Sequence, residues 1–442
     1  MSEFIDIFKE KRTPIKYYMI GLLATLLFIC GYAAIALEHR FFINKAATSL
    51  LLAVLLWIMV SVSIPVEALE HHIIATSSGL FDLVVFLITS MTLVEILLHY
   101  RFFDVIEKRL RASGWNRYQL GWAITAMTFI FSMLVPNFTA TIIAIQIARR
   151  FFPLKELISL AALMVIVANA GGAFSPIGDV VTLLLWFAGK FGSIELLTQG
   201  VLPALMIACI SGLLLLQHIK KEPALAQENG HNWEAPSRSE WIIIIASLGS
   251  FLLPLGASAL GLPPYFGLLA GLGGVWLLVD LARHIRPKTS HLKANIHHFL
   301  RQSDIESIQF FIGILLSVAA LDTLGLLDIA THALLGTDPS FLKLVTSFTG
   351  LGVTSALVDN VPLAAAAISA VHNVPSAFWV LLSLSVGTGG SLLVIGSAAG
   401  IVAMGMIPEL NFGTYLKVAT LPAIIGFAAG IVTWVIQYQI LF

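Results

Sequence analysis

Ser132-Met-Leu-Val-Pro-Asn137 is answered later in the chain by Ser355-Ala-Leu-Val-Asp-Asn360, 223 residues on (132 to 355), and each stretch interrupts an apolar run. Ser, Leu, Val and Asn coincide. A second pair follows in the same order: Gly171-Gly172 with Ile177-Gly178 matches Gly389-Gly390 with Ile395-Gly396 at a spacing of 218 residues (171 to 389). Two signatures repeated in register imply that one half of the chain repeats the other. Between the halves, Lys220–Glu240 is rich in Pro, Asn, Ser and mixed charge and reads as a solvated cytoplasmic linker.

The motifs sit in a strongly apolar chain. Of 442 residues, 58% are hydrophobic and 11% charged, with a mean hydropathy of +0.92, far from the balance of a soluble domain. Runs such as Tyr17–Leu37, Ala46–Ile64, Gly79–Leu98 and Leu196–Gln217 come close to the roughly 20 residues that cross a bilayer core. The expected fold is an all-α polytopic membrane protein built as an inverted repeat. Each half would hold three spans, a re-entrant hairpin, a broken helix and a final span, about ten spans plus two hairpins in all. The first repeat is expected at 1–218, with its hairpin near 117–149 and its broken helix near 156–188. A linker at 219–240 leads to the second repeat at 241–442, with a hairpin near 340–372 and a broken helix near 376–407.

Net charge is zero, from 25 basic and 25 acidic residues, which argues against nucleic acid and leaves the lipid bilayer as the partner. Cys30 and Cys209 are the only cysteines and lie in apolar runs, so neither a disulfide framework nor a thiolate metal site is expected. The N-terminal stretch carrying Glu3, Asp6, Lys9, Glu10, Lys11, Arg12 and Lys16 does not read as a signal peptide. Basic clusters at Arg101–Arg117, Arg149–Lys155, Lys220–Lys221 and Arg283–Arg301 would face the cytoplasm. That puts both termini outside, against the preference of Lys9–Lys16 for the inside, and an extra dip at Glu67–Ser78 would reverse the first spans. Arg101–Ser113 has Phe102, Phe103, Ile106 and Leu110 on one helical face and charges on the other, the pattern of a helix lying in the interface.

Chemistry concentrates at the interruptions. Pro136 breaks the first hairpin and frees carbonyls beside Asn137 and Thr139. The second hairpin, with Ser355, Asp359, Asn360 and Pro362, adds a carboxylate. An ionised carboxylate in a membrane interior is costly unless a cation or proton compensates it, so Asp359 reads as functional, with a salt-bridged structural Asp as the bland alternative. In the broken helices, Gly171, Gly172, Gly389 and Gly390 would admit unusual backbone, and Pro176 would block helix re-entry. Asn169, Ser175, Thr388 and Ser391 supply neutral oxygens there, and Asp179 a second carboxylate. Gly313, Gly350 and Gly426 read as helix-packing glycines. Glu95 is a candidate proton relay, Asp82 lies near a span end, and Glu67, Glu70, His71 and His72 are expected in a loop without a metal-binding spacing.

With those residues in view, the sequence resembles the NhaD-type sodium/proton antiporters of the ion transporter superfamily over nearly its whole length. The resemblance rests on Met91-Thr-Leu-Val-Glu95, Ala168-Asn-Ala-Gly-Gly-Ala-Phe-Ser-Pro-Ile-Gly-Asp179, Val358-Asp-Asn-Val-Pro362 and Gly387-Thr-Gly-Gly-Ser-Leu-Leu-Val-Ile-Gly-Ser-Ala-Ala-Gly400. It implies two re-entrant hairpins, a homodimer, elevator-like movement, a bacterial inner membrane location and no cofactor beyond the transported sodium or lithium and protons. It also implies that Asn137, Thr139, Asn169, Ser175, Asp179, Ser355, Asp359, Asn360 and Ser391 form or flank the ion pathway, with Asp179 and Asp359 carrying cation and proton. Two departures stand out. Pro136 occupies a place where the family tends to be acidic, and Val180-Val181-Thr182 is poorer in threonine than the family pattern. A dicarboxylate or arsenite carrier of the same superfamily is the first rival, and an intramembrane aspartate hydrolase the second. Neither a Lys nor an Arg accompanies the motifs to hold an anion.

Overall fold

The computed structural model describes residues 14–36, 44–224, 235–285, 299–300, 304–327, 329 and 340–441. Glu3 to Arg12, the middle of the linker and most of the Arg283–Arg301 cluster lie outside these residues. Among the described residues nineteen α-helices follow one another. They are α1 (Pro14–Ala36), α2 (Lys45–Ser63), α3 (Val66–His99), α4 (Phe102–Ala112), α5 (Arg117–Ser132), α6 (Asn137–Ala148), α7 (Leu154–Ala173), α8 (Val180–Phe187), α9 (Ser193–Leu216) and α10 (Arg238–Ser250). Then come α11 (Leu253–Ala259), α12 (Pro264–Ile285), α13 (Ile305–Thr323), α14 (Phe341–Thr354), α15 (Asn360–Ala370), α16 (Ser376–Gly389), α17 (Ala398–Met406), α18 (Phe412–Val418) and α19 (Thr420–Leu441). Seven of these helices are long and apolar enough to cross a membrane, and the bent pair α10/α11 makes eight. The chain is an all-helical, multi-pass membrane protein.

Helix α3 corrects one expectation. It runs unbroken for 34 residues, about 51 Å at about 1.5 Å per residue, well beyond the roughly 30 Å hydrocarbon core. Glu67, Glu70, His71 and His72 therefore lie on a helix whose first turns are mostly exposed, not in a loop. Gly79 alone is too weak a break, and no proline follows Pro65 to stop the helix. Helix α4 is a second correction: Glu107 sits on its buried face, where it pairs with Arg111 (3.1 Å) and Arg150 (2.7 Å).

Two compact units are present. In the first (Met1–Val84, Ile305–Pro339 and Ala365–Asn373), Leu52, Leu56 and Val60 of α2 meet Ala24 of α1 and Ala320, Leu321 and Leu324 at the end of α13. Gly313 lets α13 close on Ser49, and the Trp57 indole N–H donates to the Leu316 carbonyl at 2.9 Å.

The second unit (Val85–Asp304, Ser340–Ala364 and Val374–Phe442) is organised around α7 and α16. Every residue from Leu160 to Ala173 and from Ala377 to Gly389 is buried. Helices that are apolar all round need packing on every side. Here α5 and α6 pack on α7, α14 packs on α16, and α9 packs along α19. Gly426 lets α19 approach Ser211 of α9, whereas Gly350 has nothing within 4 Å and serves no packing contact.

The start of the linker is exposed but tethered to α5. Glu222 accepts from the Arg117 guanidinium, its carbonyl accepts from the Arg117 backbone N–H at 2.9 Å, and Asn116 bridges to Pro223. The buried Arg117 also holds the buried Glu156 at 3.1 Å. Arg117→Met strands Glu156 without its cation, and removing one partner of such a pair costs about 3–5 kcal/mol. The expected result is a clearly lowered thermal midpoint of the purified protein; an unchanged midpoint would count against a stabilising role for this cluster.

Candidate ion-binding site

Both Asn motifs lie where one helix ends and the next begins. Helix α5 ends at Ser132, Pro136 sits at the N-cap of α6, and Asn137 is the first residue of that helix. Helix α14 ends at Thr354, and Asn360 opens α15. Pro362 is not the breaking residue expected of it. It is the third residue of α15, inside the first turn, where a helix has no intrahelical use for the missing N–H.

The broken helices part at Phe174–Asp179, which contains Ser175 and Pro176, and at Gly390–Ser397, which contains a 3₁₀ turn (Val394–Gly396). Here too the structure corrects the reading. Gly171 and Gly172 lie within the last turn of α7, Gly389 ends α16, and Gly390 is its right-handed C-cap. Neither pair has positive φ. What they provide is close approach. A Cβ on Gly172 would stand 2.9 Å from the Gly178 carbonyl, and one on Gly390 2.5 Å from the Gly396 carbonyl. Gly171 is pressed against the Phe129 carbonyl, and Gly389 against that of Gly352.

Hydrogen bonds recur at the spacings of the motifs. The Ser132 hydroxyl donates to the Ala168 carbonyl at 2.5 Å, and the Ser355 hydroxyl to the Val386 carbonyl at 2.9 Å. Each tethers an Asn-motif segment to a broken helix. The Ser175 hydroxyl donates to Met133 (2.5 Å), Thr388 to Leu384 (2.5 Å) and Ser391 to Thr388 (2.6 Å), so these three donors are turned to backbone. The Tyr415 hydroxyl fixes the second break by donating to the Ser391 carbonyl at 2.6 Å.

At the centre, Asp179 is the N-cap of α8, and its Oδ1 accepts from the Val181 N–H at 3.3 Å. Its Oδ2 accepts from the Asn360 side-chain amide at 3.5 Å. The Asp359 Oδ1 accepts from the Val361 N–H at 3.2 Å, and Asp359 directly precedes the Asn360 that bonds Asp179. Gly387 opposes Asp179, where a Cβ would lie 3.1 Å from Oδ2. Among the described residues no lysine or arginine pairs with Asp179. A second network joins Asn137, Asn169 and Ser397: Asn137 Nδ2 donates to Asn169 Oδ1 at 2.9 Å, and Asn169 Nδ2 donates to Ser397 Oγ at 3.1 Å. Ser397 is the N-cap of α17. It was missed in the sequence, although the 218-residue spacing carries Asp179 onto it. Thr139 is half-buried and takes no part in either network, and Glu95 is half-buried on α3.

The citrate transporter family matches residues 32–378. The chain belongs to that family. Among its relatives is sodium/proton antiporter 2 of Arabidopsis thaliana, 34% identical over 92% of this chain and 98% of the relative. The Na(+)/H(+) antiporter NhaD of Halomonas elongata is 28% identical, covering 93% of this chain and 87% of its own length. Its namesake in Vibrio cholerae is 28% identical, with 90% and 88% covered. The match to the citrate transporter family takes in both Asp179 and Asp359.

Proposed function

We propose that the chain is a sodium/proton antiporter in which sodium or lithium and protons compete for Asp179 and Asp359. The observation that carries this reading is a buried carboxylate at a helix cap within a broken helix, bonded by the Asn360 that follows a second carboxylate, Asp359, with no basic residue among the described residues pairing with Asp179. A desolvated carboxylate is stable when a cation or a proton neutralises it. Loaded and protonated forms cross, and the bare dianion does not, so occupancy by one ion excludes the other. The names borne by the relatives agree with this chemistry. In this reading the halves are inverted repeats, the hairpins and broken helices move in an elevator-like way, and sodium leaves as protons enter across a bacterial inner membrane. Citrate or another carboxylate would meet like charge at this site, and peptide hydrolysis has no use for the doubled Asn and Gly-Gly motifs.

Everted vesicles with an acid interior provide the test. Sodium added outside should collapse the pH gradient, read as dequenching of a pH-gradient dye, and Asp359→Asn should silence the response. No sodium or lithium response at any pH, together with uptake of a dicarboxylate, would overturn the reading.

A further inference from the structure

We infer that the protein takes one cation per chain, at the Asp179 end of the site, and that Asn169 keeps the matching end closed to cations. This rests on the cation reading above. The repeat spacings set the two ends against each other: 223 residues relate Pro136-Asn137 to Asp359-Asn360, and 218 relate Asn169 to Gly387 and Asp179 to Ser397. One end therefore has two carboxylates, an amide and, at Gly387, no side chain. The other has Pro136, Asn137, a hydroxyl, and Asn169 filling the corresponding place.

At that second end every side-chain oxygen already accepts a hydrogen bond. Asn137 Oδ1 accepts from the Phe138 N–H at 2.8 Å, which obliges its Nδ2 to face Asn169. Asn169 must then offer Oδ1 to Asn137, and it turns its own N–H toward Ser397 Oγ. That oxygen also accepts from the Gly400 N–H at 3.3 Å. The orientation of all three side chains thus follows from one backbone donor. A sodium ion arriving here would meet N–H groups already directed at these oxygens, with no negative charge among these three side chains to compensate its lost hydration. At the first end, Asp179 and Asp359 bring negative charge, and Gly387 sets no side chain against Oδ2.

The test is equilibrium binding of radioactive sodium to the purified full-length chain in detergent, read as the saturating number of ions per chain. Wild type should saturate at about one. Asn169→Gly combined with Ser397→Asp opens the second end and gives it the counterpart of Asp179, and should raise the plateau to about two. A wild-type plateau of two, with sodium-driven antiport intact in vesicles, overturns this inference and leaves the antiporter reading standing. No sodium bound and no antiport overturns both. A plateau that stays at one in the double variant, with an unchanged monodisperse profile, overturns the role given to Asn169.

Discussion

Asp179→Asn is expected to abolish sodium-dependent proton movement without unfolding the protein. Asparagine is as good an N-cap as aspartate, so the bond from Val181 to the α8 cap is retained. What is lost is charge. Even at about 4 Å and an effective dielectric constant of about 20, one carboxylate attracts a monovalent cation by about 4 kcal/mol, or about a thousandfold in affinity. The sodium concentration for half-maximal dequenching should therefore move out of the accessible range while yield and elution profile stay as in wild type. A half-maximal concentration within threefold of wild type would remove Asp179 from the site.

The second large effect falls on the fold. Gly389→Val places its Cβ against the Gly352 carbonyl, and Gly171→Val against that of Phe129, in each case a backbone atom held within a packed helix. Neither can yield as a side-chain tip would, so each substitution should cost more than about 4 kcal/mol, at the extreme of single changes. Detergent extracts of either variant should lack the monodisperse peak. Gly350→Val, with open space around it, should elute normally; equal loss in all three would show that close approach is not the reason.

Much of this site can be read from the sequence because its parts interrupt apolar runs. Pro136-Asn137 and Asp359-Asn360 mark the hairpin breaks, and Gly178-Asp179 marks the start of α8. Ser397 escaped because a repeat is recognised by identity, and here a hydroxyl stands opposite a carboxylate. The glycine pairs were legible as special but not in their role: sequence distinguishes no unusual φ from a neighbouring carbonyl that leaves no room for Cβ. Glu222 was hidden in another way. Its neighbours look like a linker, and nothing local indicates that Arg117, distant in sequence, is buried beneath it.

The Asn360 bond to Asp179 and the Asn169 bond to Ser397 both join a residue before the linker to one after it. Stated genetically, the proposed ion site has no address in either half of the gene. A fragment ending before the linker carries Asp179 and Asn169 without Asn360 or Ser397, and the remaining fragment carries the reverse. Transport is accordingly an indivisible trait of the fused coding sequence: a truncating lesion anywhere downstream of Asp179 and upstream of Asn360 leaves a product that keeps a carboxylate but has lost the partner that faces it.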